Sequence, residues 1–412
     1  MPFYLFSNDV ITLVINQKYI HKGKYMSQLI NSTHYPMFEE KIIKADGIFV
    51  YNQDHKRFYD LESGVWCLPL GHNHKAVNQA MIDQLNSISH VGYLYSNQII
   101  DDAAAKLSLL SGIKDSSCVF LSSGSEAVEY AIQVAKSLHP SKKGARLKQA
   151  YLSAYGFARY SSKDWIELDQ SLEDINFDDI GYLVLELGNH SGLVKTHQED
   201  WIKHICDQVQ KHQGIVIIDE VTTGIGRTGK WFGYMHFEIS PDMIACGKGL
   251  GNGYPVSAVV IKTDLINQAI KNGFGYAQSH QNDPMGARIA LSVLSEVLSL
   301  DLVRLSALKG AYFKEKLLNI SQQTPLIKEV RGIGLMIAIE FVDTVTIEML
   351  KNLHHYMHEK GYLLQVLPTR KVLRLYPPLI IAYEDIDAIS SAILNGLNHI
   401  LIKTKDSSHC ES

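Results

Sequence analysis

Cysteine is scarce and odd in number in this chain of 412 residues: Cys67, Cys118, Cys206, Cys246 and Cys410, with no two spaced as CxxC. That excludes a disulfide scaffold and suits a reduced, cytoplasmic protein. Runs of like charge are missing too. With 39 Lys and Arg against 43 Asp and Glu, a net charge of −4 and no polybasic stretch, neither nucleic acid nor an anionic membrane is the expected partner. No stretch reaches the ~18 apolar residues of a membrane span. The apolar start MPFYLFSNDVITLVINQ lacks the basic flank and small-residue cleavage site of an export signal. Internal repeats, low-complexity segments and long linkers are absent. What is present is an ordinary globular composition, 46% hydrophobic and 20% charged, long enough for two or three domains.

Along the chain, DGIFVYNQDHKRFYDLES (46–63) alternates apolar and polar residues around an Asn-Gln-Asp-His turn, which predicts a hairpin. Val77, Met81 and Leu85 share a helical spacing over 75–89. A repeat of short apolar strand and amphipathic helix follows. Its strands are CVFLS (118–122), YLVLEL (182–187), GIVIIDE (214–220), DMIAC (242–246) and VSAVVI (256–261). The helix after YLVLEL carries an inner stripe of Trp201, Ile202, Ile205, Cys206 and Val209. Such alternation predicts an α/β fold with a mainly parallel sheet covered on both faces. Beyond residue 310 the pattern becomes a long helix, the strand pair EVRGI and LMIAIEF, a helix, the strand LRLY and a last helix at 384–401. This reads as a smaller α+β unit, with a polar tail, KTKDSSHCES, expected to fray.

Three segments carry chemistry. In PDMIACGKGLGNGYPVSAVVI (241–261) a strand delivers Lys248 into a loop with Gly247, Gly249, Gly251 and Gly253. A solvated surface lysine would share that composition. A P-loop would not, since Gly249 rather than Ser or Thr follows the lysine, and a nucleophilic lysine able to form a Schiff base remains. FLSSGSEAVEYAIQVAK (120–136) places a Ser-Gly-Ser turn at a helix start, either a plain N-cap or an anion cup built of N–H groups and the helix dipole. IVIIDEVTTGIGRTGKWFG (215–233) ends a strand with Asp219 and Glu220, either a structural ion pair or carboxylates facing a ligand crevice. Together a phosphate cup, a strand-end carboxylate and a lysine are the parts that a pyridoxal phosphate enzyme needs.

These motifs, SGxEAxExA, DEVxTGxGRTG, PDxxxxGKGLGxGxPxxA and LRLxPPL, occur in one order from about residue 45 to 400. In them the chain resembles the class III pyridoxal-phosphate aminotransferases of the ornithine, acetylornithine and 4-aminobutyrate type. The resemblance implies the aspartate-aminotransferase-like fold (fold type I). A large cofactor domain would span 70–309, and a small domain would combine residues 1–69 with 310–412. It implies a ping-pong transfer of an amino group from an amino acid or amine to a 2-oxo acid. Lys248 would be the Schiff-base lysine and proton shuttle, Asp219 the partner of the pyridine N–H, and Val221 the residue packed under the ring. Gly124 and Ser125 would form the phosphate cup, with Glu186 the retained acid of ELGNHSG. Tyr155 would be the stacking aromatic, with Gly156 where the family has His. Ser279 would reach the phosphate held by the other subunit of a homodimer. Trp66 would line the substrate pocket, and Arg374 would bind a substrate carboxylate in a bidentate fork.

The chain also departs from the family. Thr222 stands for the usual Gln of DEVQTG, and SHQND replaces Thr-Phe-Gly-Gly-Asn, bringing in His280 and Gln281. ELGNHSG lacks the second Glu of EPxQGExG, which screens the carboxylate-binding arginine in one half-reaction of the ornithine-type enzymes, so Arg374 is expected to stay available. A racemase, aminomutase or decarboxylase on the same scaffold is the alternative activity, and a catalytically silent interaction protein the alternative class, which an intact Lys248 and Asp219 oppose. Two side readings complete the set: His354, His355 and His358 as a solvated helix face rather than a metal site, and Tyr93 and Tyr95 as pocket aromatics near the dimer seam or else plain core, the pocket being preferred.

Overall fold

Runs of Val and Ile that read as continuous apolar stretches become strands buried on both faces, as a sheet covered by helices on each side requires. The computed structural model describes residues 40–148, 150–159, 163–169, 172, 175–188, 193–195 and 197–409, with side chains to residue 402. The apolar start at 1–39, the segment 189–192 of ELGNHSG and Cys410 lie outside the described residues.

The central sheet has seven strands in the spatial order Ser116–Leu121, Ser257–Lys262, Met243–Cys246, Ile215–Asp219, Ile180–Glu186, Lys143–Leu147 and Trp165–Leu168. Five run parallel to their neighbours, from Met243–Cys246 to Trp165–Leu168. Ser257–Lys262 runs antiparallel to both strands beside it, so the sheet is mixed. Lys143–Leu147 and Trp165–Leu168 escape the hydropathy pattern because each carries charge; the Arg146 guanidinium is satisfied inside by the Ala158 carbonyl at 2.7 Å and Glu167 at 3.2 Å. The expected inner stripe is present as Ile202, Ile205, Cys206 and Val209 on helix Glu199–Lys211, with Trp201 partly buried against it.

The expected hairpin is Phe49–Asn52 paired with Arg57–Asp60. Its second strand pairs in parallel with Tyr362–Leu363, so early and late chain meet in one four-stranded sheet. EVRGI and LMIAIEF form an antiparallel pair, and Val372–Leu375 lies on the other side of Met336–Phe341. The long helix that precedes them starts at Leu302 and runs unbroken to Ser321, so position 310 falls inside it.

Two expectations are corrected. Helix Lys75–Ser87 buries Val77, Ala80 and Gln84, while Leu85 is 62% exposed because the covered face of the helix is rotated away from it. The three histidines do not share a solvated face. His358 is buried with its ring 5.3 Å from Phe58, and only His355 stands in solvent, 3.2 Å from Glu359.

Arg227 ties the loop after Ile215–Asp219 to the late strands. Fully enclosed, it donates to the Leu335 carbonyl at 3.0 Å and the Pro377 carbonyl at 2.6 Å, and burial pushes its pKa down to about 10. Pro377 closely follows Arg374, so this side chain links the loop after Asp219 to the end of the Arg374 strand. Arg227→Met keeps the apolar stem but leaves both carbonyls without donors, an expected loss of roughly 2–5 kcal/mol, read by urea unfolding against the parent protein.

Candidate active site

Parallel strands place their carboxyl ends along one edge of the sheet, and the chemistry gathers there. Glu186 and Asp219 are the last residues of neighbouring strands and sit in register. Asp219 is buried; Oδ1 accepts from the Val221 N–H at 2.9 Å. Burial first, then the Glu186 charge, holds its carboxyl well above the usual range. Glu186 accepts from the Tyr151 N–H at 3.0 Å.

Glu220, next in sequence, points away from this edge. It is buried and accepts from Thr223 Oγ1 at 2.6 Å and from the Gly233 and Tyr234 N–H groups at 2.7 Å each. The acidic pair is therefore neither an ion pair nor two ligand groups: one carboxyl faces the crevice and the other organises the loop behind it. Burial raises the Glu220 carboxyl to about 7.

Lys248 opens a single 3-10 turn after strand Met243–Cys246, with φ +41°, a strained backbone for a lysine. Its Nζ donates to Thr222 Oγ1 at 2.8 Å and lies 4.4 Å from the centre of the Trp66 ring. Burial lowers its pKa, while Asp219 and then Glu186 pull the other way. Thr222, noticed in the sequence only as a departure, is thus the direct partner of the lysine.

Helix Gly124–Leu138 begins beside this lysine. Ser123 caps it by accepting from the Glu126 N–H at 3.2 Å, and Glu126 returns the bond to the Ser122 N–H at 2.9 Å. Gly124 is required by close approach: a Cβ there would lie 2.6 Å from Val221 Cγ1. Ser125 Oγ accepts from the Ala154 N–H at 2.8 Å. Glu129 accepts from the Phe157 and Ala158 N–H groups at 2.9 and 2.7 Å. Gly156, at φ +74°, has no room for a side chain, since a Cβ would meet the Glu129 carboxylate at 2.5 Å.

Arg374, on strand Val372–Leu375, is 5% exposed, with its guanidinium carbon 4.6 Å from the Trp66 ring centre. Trp66 stacks on Tyr376 at 4.6 Å between centroids. The indole therefore joins Lys248 and Arg374 in one pocket.

The class-III aminotransferase profile matches residues 30–157 and 145–397. The chain belongs to the class-III aminotransferases. The acetylornithine aminotransferase of Bacillus subtilis is 32% identical over 91% of this chain and 98% of its own length. The [LysW]-aminoadipate semialdehyde/glutamate semialdehyde transaminase of Sulfurisphaera tokodaii is 28% identical over 86% and 94%. In fold, the ornithine aminotransferase of Toxoplasma gondii superposes with a TM-score of 0.83 at 22% identity, covering 92% of this chain and 94% of that one. The chain is accordingly a pyridoxal-phosphate-dependent transaminase with a fold type I architecture.

Not every residue expected at the site of this aminotransferase meets the others. Ser279 is exposed on the loop between helices Thr263–Lys271 and Pro284–Ser299. Tyr155 is 49% exposed, its phenol near that of Tyr276, which donates to Glu126 at 2.5 Å. Tyr93 and Tyr95 are 54% and 71% exposed in the single chain. A hollow of about 240 Å³ lies between Ser122, Tyr254, His280 and Asp283, beside the cup but not lined by Lys248. The role of Glu220 yields a stability prediction. Glu220→Ala orphans two buried amides and a hydroxyl, and should cost about 2–5 kcal/mol in thermal or urea unfolding.

Proposed function

We propose that this aminotransferase holds pyridoxal phosphate covalently on Lys248, with Asp219 facing the pyridine nitrogen and the first turn of Gly124–Leu138 facing the phosphate. The observation that carries this reading is the burial of Lys248 and Asp219 at one sheet edge, the lysine pKa lowered and the aspartate raised. The residues fit the group. A helix N-terminus suits a phosphate, and a buried carboxyl with a single backbone N–H donor among the described residues would favour a protonated ring nitrogen beside it.

When bound, the cofactor supplies an electron sink. The chain's part is to bind, orient and move protons. Asp219 holds the proton at the pyridine nitrogen, because a negative charge beside it favours the protonated ring. With the cofactor bound, Val221 would pack against the ring, Tyr155 would stack on it and Glu186 would brace the strand end. Lys248 Nζ, easily deprotonated in its buried setting, is both the nucleophile that holds the cofactor and the base that carries the substrate proton. Arg374 holds the carboxylate of the 2-oxo acid, and Trp66 walls the pocket.

The working unit is a homodimer in the cytoplasm. Ser279, exposed in its own chain, serves the phosphate held by a second copy. Exposed Ile82, Leu85, Leu94 and Tyr95 offer apolar area for that contact. The names of the relatives favour a donor that presents a terminal primary amine, with a 2-oxo acid as acceptor.

Borohydride reduction of the holoenzyme followed by peptide mapping tests the first claim: the pyridoxyl group should sit on Lys248, and Lys248→Ala should lose the link and turnover. A label on another lysine would overturn the assignment. Arg374→Lys removes the planar fork, and an unpaired carboxylate should cost a ~30- to 1000-fold loss in specificity for the 2-oxo acid. A donor without an α-carboxylate should react almost normally in a single turnover. If neither half-reaction changes, Arg374 is structural.

A further inference from the structure

Beside Arg374 stands a second charged residue that the catalytic reading does not use. Glu62 precedes a tight turn in which Ser63, Gly64 and Trp66 all take positive φ, +49°, +70° and +64°. The turn is held firmly. Asp60 accepts from the Glu62 and Gly64 N–H groups at 3.0 and 2.8 Å, and Ser63 Oγ donates to the Tyr376 carbonyl at 2.6 Å. The Tyr376 N–H donates in turn to the Leu61 carbonyl at 2.8 Å. The backbone of Glu62 is thereby fixed against the strand that carries Arg374, and its side chain lies against the Trp66 indole and the Gln365 backbone.

Both charged groups are left incomplete. Glu62 Oε1 and Arg374 Nε are each shut off from solvent, and among the described residues neither has a hydrogen-bond partner. Arg374 nevertheless stabilises the Glu62 carboxylate, so the two charges feel each other without a bond between these atoms. The Tyr376 phenol lies among the charges of Arg374, Glu62, Glu186 and Arg227, and Lys248 adds a second cation near Arg374. Glu62 and Arg374 thus each bring a buried polar atom without a partner to the same neighbourhood, and such an atom is costly to leave unpaired.

We propose that Glu62 is the counter-ion of Arg374 in the substrate-free enzyme and competes with the substrate carboxylate for its guanidinium. The proposal rests on Arg374 as the carboxylate site. It makes Glu62 a specificity-determining residue, which lets one pocket take a 2-oxo acid in one half-reaction and a donor lacking a carboxylate at that end in the other. It revises the expectation, drawn from the missing Glu of ELGNHSG, that Arg374 is always available: a carboxylate from a different element stands in reach. The groups that face Glu62 are Asp60 on its own segment, the Trp66 indole, the Gln365 backbone, Arg374, Arg227 and the Tyr376 phenol. Burial dominates them and pushes its carboxyl up to about 7, so the competitor is anionic above neutrality and neutral below it.

The test uses the holoenzyme and glutarate, a non-reacting dicarboxylate, with binding read by calorimetry and by the cofactor absorbance. In the parent enzyme glutarate should bind more tightly as pH falls from 8 to 6, because protonation of Glu62 releases Arg374. Glu62→Gln should bind it about threefold or more tightly than the parent at pH 8, and with a flatter pH profile. Equal affinities and equal pH profiles in the two proteins would overturn the proposal. So would weaker binding to Glu62→Gln, which would make Glu62 a support of the pocket rather than a competitor. Arg374→Ala separates the two claims: if it leaves glutarate affinity unchanged, the carboxylate role of Arg374 itself is wrong.

Discussion

Two carboxyls and an amine, drawn out of water at the ends of neighbouring strands, are the constraint on which the rest of this structure depends. Burying charge is expensive unless partners are supplied. Here Asp219 has one backbone amide and Lys248 one hydroxyl, few partners for groups so enclosed. The shortfall is what gives the site its chemistry: an amine that gives up its proton readily and a carboxyl that welcomes a cation. The same sheet register that puts Glu186 beside Asp219 makes the site hungry for positive charge, while the N-terminus of Gly124–Leu138 favours an anion. A cofactor that carries a protonated ring at one end and a phosphate at the other answers both.

Such a site needs rigid surroundings, and the surrounding residues are correspondingly well satisfied. Glu220 takes three hydrogen bonds and shapes the loop behind Asp219, Glu129 takes two and fixes the segment after Gly156, and Arg227 gives two across to the late strands. Asn252 adds another clasp, accepting from the Leu70 N–H at 2.9 Å and donating to the Gly71 carbonyl at 3.0 Å. The strain at Lys248 is held in place by this frame. Through Trp66, the frame also brings Arg374 into the same pocket as the lysine, although the two come from different sheets.

Much of this is legible in the sequence, for identifiable reasons. Buried strands advertise themselves by runs such as IVIID, and the glycines around Lys248 mark a loop that backbone must approach closely. Other features are hidden because they depend on pairings far apart in the chain. Asp219 and Glu220 look alike as a pair, yet consecutive residues at a strand end point to opposite sides, and only the fold assigns them separate tasks. Lys143–Leu147 and Trp165–Leu168 look polar because Arg146 is satisfied internally by groups that the linear pattern does not show. Glu62 carries no motif, and its importance appears only once Tyr376 brings the Arg374 strand against its turn. The exposure of Leu85 reflects a helix face that the single chain leaves uncovered.

The central claim is that buried Asp219 keeps the pyridine nitrogen protonated and so makes the cofactor an electron sink. The most direct test is the single-turnover rate of Asp219→Asn with an amino donor, measured on protein whose absorbance spectrum shows pyridoxal phosphate still bound. The account predicts a rate lower by about 10²-fold or more, since the amide cannot hold that proton as a carboxylate does, with a much smaller loss of cofactor affinity. A variant that binds the cofactor and reacts at close to the parent rate would contradict it.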